Sequence, residues 1–180
     1  MSLEEWYNEN PSMKQDLKIL YEMVHFNKPR QIVEIGTGHS TMTMAYALKC
    51  FMMDVKILTT DIDKVRVEYF MKKIDSADLS NYCILHTKDS IEFLNEINFI
   101  SSYIEKIVDM IFIDSAHEYQ KTLDEIIAAN NILSSKGFIF IHDTTNGFVL
   151  AAIKKFLENN NLYIYSNFPT QCGLGVLKRK

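Results

Sequence analysis

Hydrophobic positions along the chain follow two alternating rhythms. Short, dense apolar runs rich in β-branched residues occur at 32–35, 55–60, 82–86, 110–113 and 138–141, and longer segments between them repeat apolar residues every three or four positions. The first kind reads as buried parallel strands and the second as amphipathic helices. The spacing predicts a lead-in helix over 12–26 on Leu17, Leu20, Tyr21 and Val24, closed by Pro29. Further helices are predicted over 64–77 (Val67, Phe70, Met71 and Ile74 inward), 91–97, 119–133 (Leu123, Ile126 and Ile127 inward) and 147–159. Gly137 serves as a stop signal after the 119–133 helix, and the last carries a stripe of Phe148, Val149, Ala152, Ile153, Phe156 and Leu157. Residues 1–10 read as irregular, although Trp6 and Tyr7 need something to pack on, and 98–106 show no readable pattern. Two final strands, 162–166 and 174–177, are joined by only a few residues around Pro169 and Gly173, which permits an antiparallel hairpin and excludes a helical crossover. Five strand–helix units and a hairpin make an α/β, doubly wound, Rossmann-like sheet. The expected organisation is one domain over 31–180 behind a lead-in segment over 1–30.

The first strand breaks into a turn, Glu34-Ile35-Gly36-Thr37-Gly38-His39-Ser40-Thr41. Gly36 and Gly38 let a ligand approach the main chain, and Ser40 or Thr41 is placed to cap the helix that follows. Strand, glycine turn and helix N-terminus form the cradle of a nucleotide-like ligand. A dinucleotide fingerprint wants a third glycine, and Thr41 stands there instead. Every later core strand ends in an acid: Asp61, Asp89, Asp114 and Asp143. In an open α/β sheet, ligands sit outside the carboxyl ends of the strands, so four successive acids there mark one functional rim. Asp61 comes roughly as far after the glycines as an acid that accepts from a ribose diol, and Asp63 reads as a helix cap. Asp89 and Ser90 are read equally well as a helix cap or as ligand contacts.

Composition narrows the function. With 180 residues, 47% hydrophobic and 23% charged, the chain is ordinary globular material, and a net charge of -4 offers no general field for nucleic acid. Lys178, Arg179 and Lys180 read as a solvated tail. Cys50, Cys83 and Cys172 are odd in number and widely spaced, which argues for reduced thiols in a cytoplasmic protein. No basic n-region followed by an apolar core opens the chain, and no apolar run is long enough to span a membrane.

The E-x-G-x-G turn at Glu34 resembles the first motif of class I S-adenosylmethionine (SAM) methyltransferases, and the order of elements is similar to their seven-stranded fold. The stretch from Asp109 to Tyr119, D-M-I-F-I-D-S-A-H-E-Y, followed by G-F-I-F-I-H-D-T-T from Gly137 to Thr145, resembles the macrocin and catechol O-methyltransferase group. The resemblance implies cofactor contacts from Glu34, Gly36, Thr37, Gly38, Ser40, Asp61, Ile62, Asp89, Ser90 and Asp114. It places Asp89 and Ser90 at the adenine edge. In metal-dependent members the Asp of the first of these two strand ends and the Asp of the later one hold a divalent cation, which makes Asp114 and Asp143 the candidate ligands of Mg²⁺. Thr144 departs from the Asn or Asp of that pattern. His117, three positions after Asp114, falls where the group has its proton-accepting lysine, and a histidine can do that work near neutral pH. His142 reads as a residue that orients Asp143. The expected function is transfer of a methyl group to a hydroxyl of a small molecule by Asp114, His117 and Asp143. The short N-terminal cover leaves the acceptor side open or completed by Trp6, Tyr7 and a second subunit, so a homodimer is expected. Two alternatives stay open: an NAD-dependent oxidoreductase, and a catalytically silent SAM-binding or interaction domain.

Overall fold

A computed structural model describes residues 3–101 and 108–180. Its strands are β1 (Ile32–Ile35), β2 (Ile57–Asp61), β3 (Cys83–Thr87), β4 (Val108–Ile113), β5 (Leu133–Ile141), β6 (Tyr163–Phe168) and β7 (Leu174–Arg179). They form one sheet in the order β3-β2-β1-β4-β5-β7-β6. The first five neighbours are parallel, with Ile35 paired to Thr60 on one side and Ile113 on the other, while β7 runs antiparallel to both β5 and β6. Strand order reverses between β1 and β4, the position at which such sheets open a crevice for a ligand.

Alternation along the strands divides the core in two, because successive side chains point to opposite faces. Ile32, Met110, Phe112 and Phe140 face α2 (Lys14–Asn27), α3 (His39–Cys50) and α4 (Lys64–Ser76), meeting Leu20, Val24, Met44, Leu48 and Phe70. Val33, Ile35, Ile111, Ile113 and Ile139 face α5 (Ser90–Ser101), α6 (Tyr119–Ile132) and α7 (Gly147–Glu158), meeting Phe93, Ile126, Ile132, Ile153 and Phe156. No helix among the described residues is long and apolar enough to cross a membrane.

Several expectations are corrected. The opening residues are not irregular: α1 (Leu3–Glu9) is a helix that buries Trp6 and Tyr7, with the Trp6 ring edge-on to Tyr46 of α3 at 5.6 Å. Gly137 lies inside β5 instead of ending a helix, and a Cβ there would stand 2.5 Å from the Leu133 side chain. Met71, Ile127 and Phe148 face outward, each just off its buried stripe. The terminal basic residues are no loose tail: β7 extends to Arg179, whose guanidinium donates to Tyr163 Oη and to Asn130. Of the unpatterned stretch, residues 98–101 finish α5, and 102–106 lie outside the described residues.

Candidate active site

The turn after β1 is shaped by a near-collision. Gly36 has φ +98°, and a Cβ on it would sit 1.9 Å from the carbonyl oxygen of Asp114, so the ends of β1 and β4 meet backbone to backbone. Only glycine tolerates both the angle and the approach. Gly38, in extended conformation, is the N-cap of α3, and its N–H donates to Thr41 Oγ1 at 2.9 Å. The expected cap by Ser40 or Thr41 is therefore shifted: both lie within the helix, and Thr41 completes the cap from its third position. The Thr41 hydroxyl donates in turn to Glu34, which is fully buried. Burial pushes the Glu34 carboxyl up to about 7, and the hydroxyls of Ser40, Thr41 and Thr59 only partly oppose it.

The carboxyl ends of β2, β3 and β4 surround a cavity of about 450 Å³ beside Gly36. Asp61 enters it with Oδ1 accepting from the Asp63 N–H at 2.9 Å and Oδ2 3.3 Å from Arg66 Nε. Arg66 also donates to the Thr37 carbonyl at 2.6 Å, clamping the glycine turn to α4. Asp63 caps α4 by accepting from Val65 and Arg66. Asp89 caps α5 by accepting from the Ile91 N–H at 2.8 Å, and its other oxygen takes a 2.6 Å bond from Lys121. That lysine holds the Asp89 carboxyl below its ordinary range. The Ser90 hydroxyl donates to Glu125 Oε1 at 2.6 Å, so its donor is committed to the protein.

Of the residues expected to hold the cofactor, Gly36, Asp61, Ile62, Asp89, Ser90 and Asp114 border this cavity. Glu34, Thr37, Gly38 and Ser40 do not: Glu34 lies buried under the turn, Thr37 bonds Thr59 at 3.0 Å and Ser40 is enclosed in α3.

Asp114 belongs to a second constellation as well. Its Oδ1 lies 3.0 Å from His142 Nδ1 and 3.5 Å from His117 Nε2, and His117 Nε2 is 3.0 Å from Asp143 Oδ2. Behind His142, Nε2 faces Asp16 Oδ2 of α2 at 3.5 Å. Burial would raise the Asp114 carboxyl, but bonding from His117 and His142 outweighs it and holds it far below the usual range. His142 shows the converse: burial would lower it, and the carboxylates of Asp114 and Asp16 push it up to about 11. Bonding to Asp114 raises His117 against a smaller opposing effect of burial. Asp143 sits at φ +56°, an angle that aspartate tolerates better than most side chains. The Thr144 hydroxyl donates to Asn167 Oδ1 at 2.7 Å and not to this group. Reading the sequence missed Asp16, Arg66, Lys121 and Glu125. Two of them carry a signal: Asp16 and Glu125 are carboxylates on the buried stripes of α2 and α6, where a charge needs a partner.

The comparisons with known proteins agree with this fold. A structure described as a putative caffeoyl-CoA O-methyltransferase from Staphylococcus aureus superposes with a TM-score of 0.79, at 18% identity over 100% of this chain and 93% of that one. An O-methyltransferase from Bacillus cereus in complex with SAH gives 0.76 at 19% identity, covering 99% and 90%. The O-methyltransferase TomG from Streptomyces achromogenes, involved in tomaymycin synthesis and solved with SAM, gives 0.75 at 14%, covering 93% and 80%. A family model described as a methyltransferase domain matches residues 33–144, from the second residue of β1 to the threonine after Asp143. The chain belongs to this methyltransferase-domain family.

Proposed function

We propose that the protein transfers a methyl group from SAM to a hydroxyl oxygen of a small molecule. The observation that carries the reading is the convergence of Gly36, Asp61, Asp89 and Asp114 on one cavity at the strand-order reversal. Membership of a methyltransferase family and likeness to O-methyltransferases solved with SAM or SAH support it. In this reading Asp61 accepts from the ribose hydroxyls, Asp89 and Ser90 border the adenine, and the Gly36 turn seats the amino-acid end.

Bound SAM supplies a methyl group on a sulfonium; the acceptor oxygen bonds that carbon as the carbon–sulfur bond breaks, leaving S-adenosylhomocysteine. The acceptor proton passes to the neutral imidazole of His117, which Asp114 and Asp143 hold in place through its Nε2–H. Alignment of oxygen, carbon and sulfur is the protein's main contribution to rate.

Asp114 and Asp143 are the residues that would hold Mg²⁺. Two carboxylates plus water satisfy that ion, yet His117 Nε2 already lies between them and Thr144 bonds Asn167, so the donor set fits Mg²⁺ poorly. Proton removal is therefore assigned to His117 with no step through a metal. We further propose a cytoplasmic homodimer: Trp6 and Tyr7 are packed in the core and cannot roof the acceptor, a task left to a second copy.

Calorimetric titration with SAM, S-adenosylhomocysteine and NAD tests the cofactor. Binding of the first two, weakened at least about tenfold by Asp61→Ala, is expected from loss of a charged hydrogen bond. Tight NAD binding with no response to SAM overturns the reading and favours an oxidoreductase. A panel of hydroxylated acceptors, assayed with Mg²⁺ or chelator, distinguishes an enzyme from a silent binder and tests the metal. Light scattering tests the dimer.

A further inference from the structure

We infer a cation site behind Asp114, outside the proposed cofactor cavity, in which Asp16 of α2, His142 at the end of β5 and Cys172 in the turn before β7 bind Zn²⁺. A ligand atom from each of the three lies within 4.8 Å of the others. Two are buried, at 0% and 5% exposure: Asp16 Oδ2 and His142 Nε2 face each other at 3.5 Å as an ion pair, but neither has a hydrogen-bond partner. Burying polar atoms without partners is costly, so an arrangement that aims both at one point asks for a ligand there.

The remaining atoms of these side chains are already engaged in ways that suit a metal site. Asp16 Oδ1 accepts from the Thr170 hydroxyl at 2.5 Å, leaving Oδ2. His142 Nδ1 bonds Asp114 Oδ1 at 3.0 Å, leaving Nε2. A carboxylate on the far nitrogen is the usual support of a metal-bound histidine, since it fixes the ring's tautomer and orientation. Cys172 Sγ makes a weak 3.7 Å contact with the Ser12 carbonyl and also interacts with Asp143, and its partial exposure provides an entry path. One sulfur, one imidazole nitrogen and one carboxylate oxygen select Zn²⁺ over Mg²⁺, which prefers oxygen alone. As the ion enters, the thiol proton and the proton on Nε2 leave to solvent, and water or another ligand takes the fourth position. The ion would pin α2 and the β6–β7 turn to the strand end behind Asp114.

Chelator-treated protein is titrated with Co²⁺ as a spectroscopic stand-in and with Zn²⁺ as its competitor. Expected are one Co²⁺ per chain, a thiolate-to-cobalt charge-transfer band that Zn²⁺ abolishes, and a rise in Tm with Zn²⁺. Cys172→Ser removes the band and the Tm rise, Asp16→Asn weakens binding at least tenfold, and Cys50→Ser changes neither. Asp16 is buried, so its variant is compared by Tm without metal; if it fails to fold, the Cys172 and Cys50 variants decide alone. No charge-transfer band in the unaltered protein, or a band that survives Cys172→Ser, overturns the site.

Discussion

The two glycines of the turn after β1 look equivalent in the sequence but do different work. Gly36→Ala puts a methyl group into the Asp114 carbonyl at an unfavourable φ, and a loss of about 3 kcal/mol or failure to fold is expected. At Gly38 the backbone is extended, and an added Cβ meets the tip of Arg66 at 3.2 Å and Ser40 Oγ at an ordinary 3.8 Å, so Gly38→Ala costs about 1 kcal/mol or less. Urea denaturation of both variants checks the contrast. Glu34 makes a pH prediction. Its folded pKa, about 7, lies above the ordinary 4.5, so the folded state holds the proton more tightly. Stability from this group is full below pH 4.5 and is lost as pH rises toward 7, by roughly 3 kcal/mol. Glu34→Gln removes the titration, so its advantage over the unaltered protein grows between urea midpoints measured at pH 5 and pH 8.

Among the elements, helix caps separate stability from binding. Asn146 caps α7 by accepting from Phe148 at 2.9 Å and does not border the cavity beside Gly36. Asn146→Ala loses about 1 kcal/mol and leaves S-adenosylhomocysteine affinity unchanged. Asp89→Ala loses a similar amount of stability and also weakens binding, because Asp89 is both cap and cavity wall. Calorimetry beside thermal melts distinguishes the two. Sequence pattern carried the strands well, because dense runs such as Met110 to Ile113 have few other uses, and the acids after them share one end of a parallel sheet. It failed on α1, where seven residues make barely two turns and show no period. Faces were misjudged by one position at Met71, Ile127 and Phe148, because an apolar residue beside the stripe is indistinguishable from one within it. The place of Asp16 on a buried stripe was legible but its partners were not: His142 and Thr170 lie more than a hundred residues away, and no local pattern records them.

Across the whole molecule, the N-terminal helices are part of the fold and not an accessory. Trp6 packs on Tyr46, and Glu9 accepts from His39 at 2.9 Å and from Lys73, tying α1 to both α3 and α4. Trp6→Ala is expected to cost about 3–5 kcal/mol in chemical denaturation, the range for emptying a large buried aromatic site. The meeting of Gly36 with the Asp114 carbonyl has a wider consequence. In the proposed reaction, the gap between the donor's seat and the group that receives the acceptor is set by the main chain of Gly36 and Asp114, which side-chain changes around it leave in place. Acceptor preference can therefore drift through the side chains around His117 and Asp143 while the reach of the methyl group stays constant, and a single such scaffold can be retuned to new alcohols without being rebuilt.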